Sequence, residues 1–329
     1  MNTGLQRFET YLQALEVLLT KAATQKNAAL YIYQNNARTP LFMLEGLAKL
    51  YAGVHNKKKF TKIKERCKLL EDALGAIDYY DGIAKQLSKN KKIPVAITKY
   101  IQAQVVEKTQ YLNELLVAEK WLQATPNRIE KIRKKLQEAN WLQPKAEIKA
   151  IENFYGKAIY EIVAFTKSTQ YHFDNMEEDV HELRRKLRWL SIYPQAMQGC
   201  VQLVADKKNE KLLAQYLTKE ITTSIYNKMP EANENICFLL LEKNYFLANS
   251  WMIAELGKLK DNGLLILALK EAIQQTTAVT DAVAYKKVYN ILGPKQPTLE
   301  KLLTTAAAIC KQYFDKNSLE HLVVGVSVS

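Results

Sequence analysis

The chain has 329 residues, of which 48% are hydrophobic and 25% charged, with 11 Gly and 8 Pro. That balance excludes a disordered or collagen-like chain and leaves ample length for a core. The net charge of +13 is unevenly spread: residues 1–145 hold 25 Lys and Arg against 13 Asp and Glu, a difference of +12, and the rest hold 22 against 21, a difference of +1.

Long segments rich in Leu, Ala, Lys, Glu and Gln carry a 3.6-residue period and predict an all-α protein. Residues 5–23 set Leu5, Phe8, Leu12, Leu15 and Leu19 on one face. Thr39-Pro40 reads as an N-cap followed by Pro at the first helical position, so a helix over 40–52 is expected. Residues 58–88 predict a helix, or a helix pair, with Ile63, Cys67, Leu70 and Leu74 inward. A linker Ser88–Ile93 ends at Pro94, and a long helix follows to about Leu122. Thr125-Pro126 predicts the start of another over 126–139, with Ile129, Ile132 and Leu136 inward. The stretch Trp141–Glu147, with Pro144, marks a boundary between two domains, 1–145 and 146–329. Further helices are expected at 147–168, 176–192, 195–205, 208–227, 234–243, 245–259, 262–275, 280–291 and 298–314. The tail ending Leu-Val-Val-Gly-Val-Ser-Val-Ser suits a short strand or a packed coil.

The run Asp179–Pro194 is the most informative. On a helix, residues three and four apart are neighbours, so His181, Arg184, Arg188 and Ser191 share one stripe and Val180, Leu183, Leu187 and Leu190 another. Arg185 and Lys186 add charge at the flanks. Guanidinium groups offer planar bidentate donors and an imidazole charges near neutrality, a combination that suits oxyanions. His181, Arg184, Arg188 and Leu190 match in place the signature of the CHAD family, the conserved histidine α-helical domain, which the run resembles. A second element, Leu74-Gly-Ala-Ile-Asp-Tyr-Tyr-Asp81, resembles the Leu-Gly-containing segment that follows the basic helix in that family. A shift of 146 places Arg38 on Arg184, and Leu74-Gly75 resembles Leu256-Gly257 at a larger shift, so an insertion is expected in the second half. The resemblance implies two pseudo-symmetric antiparallel helical bundles. It also implies binding of inorganic polyphosphate through basic helices between them. Departures are specific: Asn35 stands where the first copy would carry His, Ser191 replaces a basic residue, and Phe42, Met43 and Glu45 occupy positions commonly basic.

Two other basic ridges stand out. Lys58, Lys62 and Arg66 align at i, i+4 and i+8, a row that can follow a polyanion backbone by charge alone. Arg128, Lys131 and Lys135 offer a second. A strong positive field favours polyphosphate, nucleic acid or an anionic membrane surface. The bland alternative is a solvated lysine-rich face. For His181, Arg184 and Arg188 it is a set of ion pairs to carboxylates such as Asp78 and Asp81.

His55, His172 and His321 have no partner at metal-ligand spacing, and no Gly-rich phosphate loop, nucleophile elbow or dinucleotide fingerprint occurs. A chain with no enzymatic activity, metal or cofactor is expected. The four Cys form no C-x-x-C, no apolar run reaches the ~18 residues a membrane span needs, and the N-terminus lacks a signal-peptide core. These features point to a soluble cytoplasmic protein. The functional readings are a polyanion binder, polyphosphate first and RNA after it, or a degenerate structural or protein-interaction module.

Overall fold

The computed structural model describes residues 3–88, 90, 93–122, 125–316 and 318–328. The expected linker 88–93 and the tail beyond 315 fall partly outside them. The chain is all-α, with one three-stranded sheet. It divides into two compact units: unit 1 is Met1–Trp141 with Leu265–Gln296, and unit 2 is Leu142–Leu264 with Pro297–Ser329. This differs from a single cut at 145/146, because residues 265–296 go with the N-terminal unit. Unit 1 holds 28 Lys and Arg against 15 Asp and Glu, a difference of +13; unit 2 holds 19 of each, a difference of zero.

Unit 1 begins with α1 (Thr3–Ala22), α2 (Ala28–Gln34), α3 (Arg38–Val54), α4 (Lys57–Leu87), α5 (Val95–Ala118) and α6 (Arg128–Gln137). Of the predicted inward faces, Phe8, Leu12, Leu15 and Leu19 of α1 and Ile63, Cys67, Leu70 and Leu74 of α4 are buried, while Leu5 at the start of α1 is half-buried. The helix α4 packs against both α3 and α5. Tyr51 and Phe60 stack at 5.5 Å between ring centroids, with Phe8 and Trp141 completing an aromatic cluster. Gly4 is needed there, since a Cβ would lie 2.4 Å from the Trp141 ring.

Two helix starts differ from expectation. The chain turns at Asn36, which has φ 57°, so α3 begins at Arg38 and Pro40 falls inside its first turn, where a missing N–H costs no helical bond. Before α6, Thr125-Pro126 is a cis peptide, and the cap is Asn127, whose side chain accepts from Glu130 N while Glu130 accepts from Asn127 N. That reciprocal capping box satisfies two orphan amides at once and outweighs the Thr-Pro signal.

Unit 2 contains α7 (Pro144–Ser168), a π-helical turn Met176–His181, and α8 (Glu182–Ala196). Helices expected at 195–205 and 234–243 are instead strands: β1 (Val201–Val204) pairs in parallel with β2 (Cys237–Glu242), and β3 (Val323–Val328) pairs antiparallel on its other side. Such short apolar runs are ambiguous by period alone, and only their pairing settles them as strands. In β2 the alternate residues Cys237, Leu239 and Leu241 are buried, and α7 packs against β2 and β3. The predicted helix 208–227 is broken into α9 (Lys207–Leu212), α10 (Lys219–Thr223) and 3-10 turns, with Asp206 and Thr218 as separate caps.

The two helices expected over 245–259 and 262–275 are one, α11 (Lys243–Thr276), which runs from unit 2 into unit 1. Gly263 is a packing gap and not a stop: a Cβ there would come within 2.7 Å of Met176. Unit 1 then takes α12 (Asp281–Leu292), and unit 2 takes α13 (Leu299–Phe314). All four Cys are buried and free. Among the described residues no helix is long and apolar enough to cross a membrane.

Candidate functional site

The signature helix is held at its start by a dense set of local bonds. Asn175 accepts from the amides of Glu177 and Glu178, and Asp179 accepts from those of Asp174 and Asn175. His181 lies at the end of the π turn and not inside the regular helix, with Nδ1 2.7 Å from Glu177 Oε1. That hydrogen bond, more than any other contact, holds the Glu177 carboxyl below its ordinary value, and burial opposes it. Arg185 and Lys186 both engage Glu182. The shallow depression around them is lined by Glu177, Glu178, His181, Glu182 and Arg185. Three carboxylates in so small an area offset the cations, so this depression does not attract anions strongly.

Arg184 is different. Its Nε donates to the Ile253 carbonyl at 3.0 Å, and its guanidinium lies flat on α11 at Gly257, where a Cβ would sit 3.0 Å from Nε. No carboxylate ion-pairs with it among the described residues. Burial lowers its pKa, and Asp261 partly compensates. Arg188 is half-buried on the same stripe. Ser191 contacts Asn249 Nδ2 at 3.4 Å, while Asn249 Oδ1 is buried with no partner.

In unit 1, Arg38 occupies a matching position over Gly75, where a Cβ would sit 3.3 Å from Nη2. Here each guanidinium nitrogen makes a bond. Nε and Nη2 donate to Glu71 Oε1 at 3.0 and 2.6 Å, and Nη1 donates to Asp78 Oδ2 at 2.6 Å. Asp78 therefore serves Arg38, and Asp81 serves Tyr33 and Lys85; each finds its partner inside unit 1. Glu45 is 6% exposed beside Glu71. Burial first, and then the Glu71 charge, push its carboxyl up to about 7.

The ridge Lys58, Lys62, Arg66 is exposed along the first third of α4. Arg66 reaches Glu119, which also binds Arg128 of α6 at 3.0 Å. Lys59 Nζ donates to the Glu138 carbonyl at the far end of α6, at 3.0 Å. The two basic ridges are thus neighbours, joined at both ends. Sequence reasoning found each ridge but not their adjacency, which depends on residues 53 and 79 positions apart. Lys58, Lys62, Lys134 and Lys135 are exposed, and none has a carboxylate within ion-pair reach among the described residues. By contrast Arg133 is held by Glu9 and Glu16.

Among the described residues, no group of three or more His, Cys, Asp or Glu is placed to hold a metal ion. No family model, curated protein or solved structure matches the chain.

Proposed function

We propose that the chain is a non-enzymatic, cytoplasmic, CHAD-like polyanion-binding protein, with inorganic polyphosphate as the simplest ligand. The observation that carries this reading is the confinement of the whole net charge of +13 to unit 1. There the adjoining faces of α4 and α6 present Lys58, Lys62, Lys134 and Lys135 with no ion-pair partner among the described residues. A lysine face of this kind binds a phosphate chain through displaced counterions and needs no exact register. His181, Arg184, Arg185 and Arg188 contribute less, because Glu177 and Glu182 neutralise part of that helix.

Binding of long-chain polyphosphate over a salt series tests it. Affinity falls as salt rises, with a slope of about 0.7 in log–log terms per charge engaged on a flexible chain. The variant Lys58→Gln/Lys62→Gln/Lys135→Gln loses about 2 units of that slope. Absence of binding at low salt would sink the proposal, and equal competition by single-stranded RNA of equal charge would reduce it to a generic polyanion binder. The second reading, a structural or protein-interaction module, is favoured by the internal ion pairs of Arg38, His181 and Arg185.

A further inference from the structure

Arg38 and Arg184 use one device. Each rises from one helix and lies over a glycine of a longer one, Arg38 of α3 over Gly75 of α4 and Arg184 of α8 over Gly257 of α11. The bonding around the two glycines is laid out alike. Four residues before Gly75 is Glu71, which takes Nε and Nη2 of Arg38; four residues before Gly257 is Ile253, whose carbonyl takes Nε of Arg184. Three residues after Gly75 is Asp78, which takes Nη1 of Arg38; three after Gly257 is Lys260, whose ammonium pairs with Asp261. One guanidinium therefore has two carboxylates on its outer edge, and the other has none among the described residues.

We infer that Arg38 is a second oxyanion seat of this chain, occupied by its own carboxylates Glu71 and Asp78 in place of an external ligand. The ligand class is a tetrahedral or planar oxyanion, phosphate or carboxylate. The bonds already made show the geometry: Glu71 and Asp78 place charged oxygens 2.6 Å from Nη2 and Nη1, just inside the ~2.7–2.9 Å of a charge-assisted bond to an oxyanion. Asp78 is the removable part of this latch, its side chain being 56% exposed, whereas that of Glu71 is 9% exposed. The inference rests on the polyanion-binding reading for its choice of ligand, but it concerns a residue outside the lysine ridges.

The test is calorimetric titration of the full chain with sodium tripolyphosphate at low salt. The variant Glu71→Gln/Asp78→Asn keeps hydrogen-bonding shape and removes the two charges. Its affinity is expected to rise at least fivefold over the parent. Adding Arg38→Gln returns it to the parent value or below. Glu65→Gln/Glu114→Gln supplies the same change of net charge at exposed positions on α4 and α5 and measures the general electrostatic effect. A gain in Glu71→Gln/Asp78→Asn no larger than in this control, or one that survives Arg38→Gln, overturns the seat. Loss of tripolyphosphate binding by the parent through Lys58→Gln/Lys62→Gln, with the gain at Arg38 intact, separates the two claims. If circular dichroism shows that the buried Glu71→Gln change unfolds unit 1, Asp78→Asn alone is read instead. An Arg38-dependent gain of about twofold supports the seat, and no gain overturns it.

Discussion

At the scale of single residues, two positions make sharp demands. Glu45 is buried beside Glu71, and burial pushes its carboxyl up to about 7 from the ordinary 4.5. The folded form thus holds a proton that the unfolded form has released. Stability from this group is intact below about pH 4.5, falls between the two values, and is lowest above 7. The span amounts to about 3 kcal/mol. Glu45→Gln should therefore raise the melting temperature clearly at pH 8 and hardly at pH 5; equal shifts at both would show that the burial cost had been misjudged. Gly199 is the second. It has φ +89°, and a Cβ would lie 1.9 Å from the Glu231 carbonyl oxygen. Gly199→Ala must move backbone and not a side chain. A loss of at least about 2 kcal/mol is expected by denaturant unfolding, and a loss under half that would contradict the contact.

At the scale of elements, α6 and α4 carry the surface on which the proposed binding rests. The short α6 depends on its capping box, because ten residues contribute little helix stability by themselves. Asn127→Ala should cost about 1 kcal/mol and should also weaken polyphosphate binding, since Lys134 and Lys135 ride on this helix. Replacing Glu119 with Gln would loosen Arg66 and Arg128, which share it. Arg66 would then be free for phosphate and Arg128 would keep only its Nε bond to the carbonyl of residue 119, so binding should strengthen although one bridge between the ridges is lost. Weaker binding on calorimetry would mean that Glu119 matters chiefly for holding the ridges together.

At the scale of the molecule, charge and regular architecture divide along the same line. Among the described residues of unit 1 the regular elements are all helices, and the unit carries +13; unit 2 includes the sheet and carries no net charge. Hydrogen exchange of the full chain with and without polyphosphate should accordingly show protection along Lys57–Arg66 and Arg128–Gln137. Protection centred on His181–Arg188 would instead move the ligand to the signature helix and favour a closer likeness to the CHAD family.

The sequence by itself determined the helical class and the inward faces of α1, α4 and α6, because apolar periodicity is a local property of the chain. It also paired Arg38 with Arg184 and Leu74-Gly75 with Leu256-Gly257. The spacings are 146 residues for the arginines and 182 for the glycines, so the proposed alignment needs 36 extra residues in the second half. The tertiary structure decided what those extra residues are, since β1 and β2 become strands only by pairing with each other and with β3. It kept α11 whole across Gly263, because Met176 fills the space that glycine leaves. It also decided which cations are available. Arg38 finds its carboxylates 33 and 40 residues away and Arg133 finds Glu9 124 residues away. Helical spacing can align charges on one face, but it cannot say which opposite charge the fold will bring to meet them.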